Sequence, residues 1–524
     1  MRSSSLGRTI ALLLLSPIVA QAQRRQSSFH IEEATIADVH AALKAGTVTC
    51  HSLVQRYLDR IDAYDKKGPA LNAIVLINPT ALADADELDR RFTQSGLVGP
   101  LHCIPTIVKD NYQTAGLQTT GGSLSLKGWL PANDATVVKR MRDAGAIVLA
   151  KSNMAEFAFS PLETVSSILP GYTRNAYALD RVTAGSSGGT ADAVAASFGT
   201  VGLGTDTGNS IRGPSSFLAL IGIRPTMGLT SRAGVVPLFL NADVTGPMTR
   251  TVADAAAVLQ VIAGPDAADS ATARAEGKVP ASYASSLVRD ALKGARIGVL
   301  HQAYERPSAD SEVIAVFKKS LDEMRSAGAV IVDPVAIDSL DALFRIQSGA
   351  CSPFKTDLNR FLAGAGDKIP MHSLDEVIKS RQFHPSIEKR LLDPQAVADA
   401  PEQSPGCKSR EEFRARLRTA VLALMDKSSL DALVYPTWSN AQRLIGDLNT
   451  PGGDNNQLFS PSTGFPAITV PMGWLRGGVL PAGVQFFGRP WSEAKLIGLA
   501  YSYEQATHHR HAPPNTPALV AKRK

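Results

Sequence analysis

Residues 134–153, DATVVKRMRDAGAIVLAKSN, set an amphipathic helix, a stop at Gly145 and the apolar strand AIVLA in immediate succession. The pattern recurs. ARIGVL (295–300) and AVIVDPV (329–335) read as strands, with SEVIAVFKKSLDEMRSAG (311–328) between them as a helix. Strands separated by helices must bury their faces in layers, so this alternation predicts an α/β fold. Near the start, HSLVQRYLDRIDAYDK (51–66) puts Leu53, Val54, Tyr57, Leu58 and Ile61 on one helical face. Near the end, GFPAITVPMG (464–473) and LPAGVQFFG (480–488) read as two strands of a hairpin-like return. Residues 265–425 are richer in charge and less regular, which predicts an insertion that covers the core and contacts substrate.

At 524 residues the chain can bury a large core or form two or three domains. Its 44% hydrophobic and 19% charged residues exclude wholesale disorder. The net charge of +6 is spread along the chain with no dense Lys/Arg run, so no nucleic-acid surface is expected. Residues 1–22 stand apart. Arg2 and Arg8 precede the apolar run IALLLLSPIVA (10–20), and AQA (20–22) follows it, the layout of a cleavable signal peptide. The run is too short for a bilayer span, which takes about 20 apolar residues. The expected mature chain, 23–524, is therefore secreted or periplasmic, with no stable membrane span. Cys50, Cys103, Cys351 and Cys407 lie far apart and form no metal-ligand spacing. Export permits one or two disulfides among them, and their separation leaves the pairing open.

Three segments carry chemistry. In HCIPTIVKDNYQTAGL (102–117) the apolar strand IPTIV runs straight into Lys109. A lysine there either reaches solvent past the strand end or is buried, loses its charge and can accept a proton. In TAGSSGGTADAVAASFG (183–199) a Gly/Ser turn opens an alanine-rich helix, so backbone N–H groups point at the turn. Residues 185–189, GSSGG, also fit a G-x-S-x-G nucleophile elbow centred on Ser187. That arrangement needs a downstream acid and histidine. His301, His372, His384, His508, His509 and His511 are available, but none is expected to follow a strand as a triad histidine does. LDRVTA, before Gly185, is polar and short for an elbow strand. In GTDTGNSIRGP (204–214), glycine and asparagine are expected to adopt positive φ and aim consecutive N–H groups at one point, beside Ser210. A hydroxyl next to such a nest suits a nucleophile with its oxyanion hole, or a simple anion-binding turn.

Taken together, IPTIVKDN (104–111), KSNMAEFAFS (151–160), GSSGGTADAVAA (185–196), GTDTGNSIRGPSSFLALIGIRPTMGLTSRAG (204–234), GPMTRTVAD (246–254) and GFPAITVP (464–471) resemble the amidase signature family. The likeness spans roughly residues 32–505, and Ser186 and Ser210 keep the 24-residue spacing of that family's paired serines. It implies a single large α/β domain, a mixed twisted central sheet covered by helices on both faces. It also implies a Ser-Ser-Lys triad. Ser210 would be the nucleophile, Ser186, after a cis Gly185–Ser186 peptide, the bridging serine, and Lys109 the base. The backbone N–H groups of Thr207, Gly208, Asn209 and Ser210 would form the oxyanion hole. Ser187, Asp206 and Arg212 would support the turns. The implied reaction is hydrolysis of a small-molecule linear amide, without cofactor or metal. Ester or carbamate hydrolysis by the same triad, one component of an amidotransferase and an inactive binding protein are the alternatives. Tyr435 and Trp438, in YPTWSN, are candidate pocket walls or core residues. Two positions depart from the family pattern, Ala184 and Asn209, each standing where glycine is usual. Asn209 could narrow the pocket, supply a hydrogen bond or buttress its loop. Homo-oligomer formation is left open.

Overall fold

The computed structural model describes residues 29–519, so the apolar leader read at 1–22 lies outside the described residues. Eleven strands form one mixed sheet. Their spatial order is Ile74–Ile77, Ile147–Ser152, Pro105–Lys109, Val201–Asp206, Val244–Thr249, Ile221–Arg224, Ala467–Leu475, Leu480–Phe487, Ala432–Pro436, Arg296–Leu300 and Val330–Val335. Pro105–Lys109 runs parallel to both of its neighbours, whereas the middle of the sheet is antiparallel. Pro105–Lys109 and its two parallel neighbours are buried along their whole length, as expected where helices cover a sheet, whereas the parallel edge strand Val330–Val335 is largely exposed. The expected C-terminal hairpin is present, with Ala467–Leu475 antiparallel to Leu480–Phe487.

The helix anticipated at 51–66 spans Cys50–Tyr64. Thr49 caps it, accepting from the Ser52 amide in a reciprocal capping box, and Leu53, Val54, Tyr57 and Ile61 face the core. Gly188–Ala195, the helix after the Gly/Ser turn, is buried at every residue. A helix so placed cannot be amphipathic, and its alanines let it approach the sheet closely.

Residues 265–425 are not one insertion. Arg296–Leu300 and Val330–Val335 belong to the central sheet, with the helix Ser311–Ser326 between them in sequence. The covering part begins near residue 340 and is helical: Leu340–Phe344, Phe354–Gly364, Leu374–Ser380, Glu388–Ala396 and Pro405–Lys427. Its Phe354, Leu358, Leu362, Leu374 and Leu391 share a cluster apart from the main core with Trp129, Phe157, Phe159 and Val236, whereas Phe413, Leu417 and Val421 of its longest helix join the main core. The cysteines pair as Cys50–Cys103 and Cys351–Cys407, with Cα atoms 5.5 and 4.6 Å apart. The second pair ties the start of the longest covering helix to the loop before Phe354. Among the described residues, no helix is long and apolar enough to cross a membrane.

Candidate active site

Lys109 ends its strand fully buried, so the first of the two readings open to it, escape to solvent, does not occur. Its Nζ lies 2.7 Å from Ser186 Oγ and 2.8 Å from Thr205 Oγ1. Burial drives its ammonium down to about 7, against the pull of Asp206 and Asp243. Asn111, two residues on, donates to the same Thr205 hydroxyl at 3.1 Å. Lys151, at the end of the neighbouring parallel strand, is equally buried but differently engaged. It lies 3.5 Å from Asp110 and donates to Tyr112 O and Thr119 Oγ1.

The Gly185–Ser186 peptide is cis. Ala184, before it, sits at φ +57°, the left-handed region that favours glycine and costs an L-residue about 1–2 kcal/mol. Two hydroxyls, Thr164 Oγ1 and Thr183 Oγ1, donate to its carbonyl at 2.8 and 2.9 Å. Ser187 donates to Thr205 O at 3.2 Å, which joins this turn to the strand leading into Ser210. No histidine bonds Ser187 among the described residues. One expectation about the elbow alternative needs correcting: His301 does follow a strand directly. Both its ring nitrogens are nevertheless taken up, by Glu305 and Asp333. Ala178–Val182 is likewise a strand, but of a separate two-stranded sheet.

The strand Val201–Asp206 delivers the run containing Ser210 at its carboxyl end, and the helix Arg212–Phe217 follows. None of Gly204, Gly208, Asn209 and Gly213 adopts positive φ, contrary to expectation. The small residues serve close packing instead. A Cβ at Gly208 would stand 2.0 Å from Gln457 Oε1, and one at Gly213 would stand 2.9 Å from both Asn209 Nδ2 and Trp438 Cζ2. Among the described residues, the amides of Gly208, Asn209 and Ser210 meet no protein acceptor. Ser210 is nearly buried, with its Oγ 3.5 Å from Asn209 Oδ1.

Asp206 anchors the run. Its carboxylate meets Arg212 at 3.0 Å and Arg224 at 2.9 Å, and accepts from the Ile211 amide at 3.1 Å. Burial opposes its charge, but the two guanidinium groups more than offset this and hold its carboxyl down at about 2. Arg212 also reaches Gly208 O and Gln485 Oε1. All three side chains are fully buried, so Asp206→Ala would strand two guanidinium groups. That change should cost about 3–5 kcal/mol of stability, read as a lower urea midpoint. A midpoint equal to the parent's would show the ion pairs to be dispensable.

Ser210, Thr207, Gly208 and Asn209 line a cleft of about 580 Å³. Its apolar wall includes Phe159, Pro161, Leu162, Leu238, Phe239 and Phe413. The covering part adds Gln347, Arg390, Arg410 and Arg414, and the 454–457 segment adds Asp454 and Gln457. Tyr435 and Trp438 do not line it. Tyr435 is buried in its strand, its hydroxyl accepting from Gln485 Nε2, and Trp438 stacks on Phe217 at 4.5 Å and donates to Gly213 O. Of the two readings for this pair, the core role is the observed one. A neighbouring cavity of about 690 Å³ shares Asn241 and Arg414 with the cleft but contains none of Lys109, Ser186 and Ser210.

Thr205, Arg224 and the Asp110–Lys151 pair escape a reading of the sequence alone. Arg224 and Lys151 carry the signal that marks Lys109, a cation closing an apolar strand run, in IGIR and IVLAK. Thr205 carries none, because a threonine in a strand is unremarkable.

A sequence profile of the amidase family matches residues 52–497. A probable amidase of Arabidopsis thaliana is 34% identical over 96% of this chain and 95% of its own length. One component of the glutamyl-tRNA(Gln) amidotransferase of Moorella thermoacetica is also 34% identical, over 87% of this chain and 93% of its own. In three dimensions the native peptide amidase of Stenotrophomonas maltophilia superposes with a TM-score of 0.81 at 37% identity, covering 92% of this chain and 98% of that one. The profile, the relatives and the shared fold agree: this chain belongs to the amidase signature family.

Proposed function

We propose that this protein hydrolyses linear carboxamides through an acyl-enzyme formed on Ser210. One observation carries the reading. A fully buried lysine, without a carboxylate in contact among the described residues, lies 2.7 Å from the hydroxyl of Ser186. Neutral Lys109 takes the Ser186 proton as Ser186 takes that of Ser210. Ser210 Oγ then bonds the carboxamide carbon, and the amides of Thr207, Gly208, Asn209 and Ser210 receive the negative oxygen. Return of the proton by the same relay to nitrogen lets the C–N bond break and amine or ammonia leave. Water, activated by the same route, cleaves the ester and restores Ser210. Ser187 and Asp206 hold the two turns, and Arg212 braces the loop.

An amide preference over esters and carbamates is supported by the likeness to a protein named a peptide amidase. Rates on anilide, ester and carbamate analogues sharing one acyl group test it; a carbamate or ester turned over with the higher kcat/KM overturns it. The likeness to an amidotransferase component supports a second reading, in which released ammonia passes to a partner. Full amide hydrolysis by the isolated chain favours the first. The two disulfides of widely spaced cysteines support action outside the cytosol, in line with the leader read at 1–22.

The cleft also suggests which amides. Arg390 and Arg410 line it without an ion pair among the described residues, while its one carboxylate, Asp454, is already bonded by Asn456 and Gln457. Peptide-like amides with a distal carboxylate should therefore have lower KM than neutral analogues. Arg410→Ala should raise KM for the acidic compound about tenfold, the worth of one charge-assisted hydrogen bond. Equal KM for acidic and neutral members of the pair in the parent would exclude the preference.

A further inference from the structure

Asn209 precedes Ser210, and its side chain is buried. Its Nδ2 donates to Pro161 O at 3.2 Å. The Gly185 amide, next to Ser186, donates to that same carbonyl at 3.1 Å. A carbonyl oxygen only accepts, so the carboxamide must turn its NH₂ toward Pro161. Its oxygen then faces the other way, which is where Ser210 Oγ lies, 3.5 Å distant. The orientation of the Asn209 amide is thus set by Pro161 rather than by Ser210.

The segment around Pro161 holds the two serine turns very unequally. It grips the Ser186 turn through the Gly185 amide and through Thr164 Oγ1 on Ala184 O. The turn is pressed so close that a Cβ at Gly185 would stand 2.4 Å from Ser160 O and 2.6 Å from Glu163 O. With the Ser210 turn its only hydrogen bond, among the described residues, is the one from Asn209. Ser187 ties the Ser186 turn to Thr205, five residues before Ser210, and leaves the far end of the loop to other contacts. Gly213 completes the arrangement. Its amide holds the Asn209 carbonyl at 2.7 Å, and its missing side chain leaves room for the Asn209 amide.

From this we infer that Asn209 is a positioning residue for the reaction. Its carboxamide splints the Ser210 turn to the Ser186 turn through the shared Pro161 carbonyl, and gives the Ser210 hydroxyl an acceptor at rest. Of the three roles the sequence leaves for this side chain, its contacts serve two, buttressing the loop and supplying a hydrogen bond, while the residue also lines the cleft. The inference rests on Ser210 and Ser186 acting as proposed above. A proton passed between two hydroxyls depends steeply on their separation, so a loosened splint slows the acylation step while the cleft walls still bind substrate.

The test is steady-state hydrolysis of a peptide carboxamide by the full chain carrying Asn209→Gly, Asn209→Ala or Asn209→Asp. Each kcat is normalised to sites titrated with a fluorophosphonate, so that misfolded protein does not count. The Gly and Ala variants should lose at least about tenfold in kcat per titrated site, with KM within about twofold of the parent. The Asp variant should lose more, because a carboxylate oxygen cannot donate to Pro161 O and brings negative charge beside the site of the developing oxyanion. Any variant retaining kcat per site within twofold, or losing activity wholly through KM, overturns the inference. Ser210→Ala serves as the separating control. If it still turns over, the nucleophile assignment has failed and the inference with it; if it is silent while Asn209→Gly is fully active, only the role of Asn209 is lost.

Discussion

Ser210→Ala should abolish turnover of every amide that the parent hydrolyses, with a loss of about 10⁴- to 10⁶-fold in kcat. The fold should survive the change, since the hydroxyl's one described contact is the long approach to Asn209 Oδ1. Unchanged melting behaviour with no turnover would separate chemistry from stability. A fluorophosphonate should label the parent at Ser210. Labelling at Ser187 would instead favour the elbow arrangement, and retained activity in Ser210→Ala would falsify the assignment outright.

Lys109 should matter almost as much, in a way that pH reveals. Its ammonium is drawn down to about 7 by burial, so the neutral, proton-accepting form predominates above that value. For the parent, kcat/KM should accordingly rise with pH through about 7 on a single ionisation and fall away below it. Lys109→Met keeps an unbranched chain in the buried site but removes the acceptor, and should cost at least about 10³-fold in kcat. Lys109→Arg should not rescue activity, because guanidinium keeps its proton at all working pH values. A Met variant with a parent-like pH profile would move the base elsewhere, with Lys151 the nearest alternative by burial and by a pKa lowered to about 8.

The elements of this fold are legible where local physics decides them. The helix Cys50–Tyr64 announces itself by periodicity, and Ile147–Ser152 by an apolar run after a glycine stop. Lys109 is legible as an anomaly, a cation closing an apolar strand, although the run leaves burial and escape to solvent both open. Contacts made across the fold are not. Pro161 becomes central only because its carbonyl receives donors from residues 24 and 48 positions away. The small residues of GTDTGNSIRGP suggest unusual backbone angles, but their cause is crowding by Gln457 and Trp438, more than 200 residues on. Tyr435 and Trp438 show the same limit from the other side. An aromatic residue reads alike whether it faces a ligand or a neighbouring ring, and stacking on Phe217 decides the matter for Trp438.

The covering helices bear on how such an enzyme can change its diet. Gln347, Arg390, Arg410 and Phe413 form one wall of the cleft, while Lys109, Ser186 and Ser210 stand on the sheet or beside it. The helices around Phe354 and Leu391 pack on a cluster distinct from the main core, and Cys351–Cys407 closes the chain around them. That cluster is shared with the sheet-bearing part along an aromatic seam, where Phe354 abuts Phe157 and Phe159 at 6.1 and 4.7 Å between ring centres. Substitutions on either side of the seam that do not touch it should combine additively in free energy. Selection can therefore re-cut the wall for a new acyl group one residue at a time, while the proposed proton relay beneath is inherited unchanged.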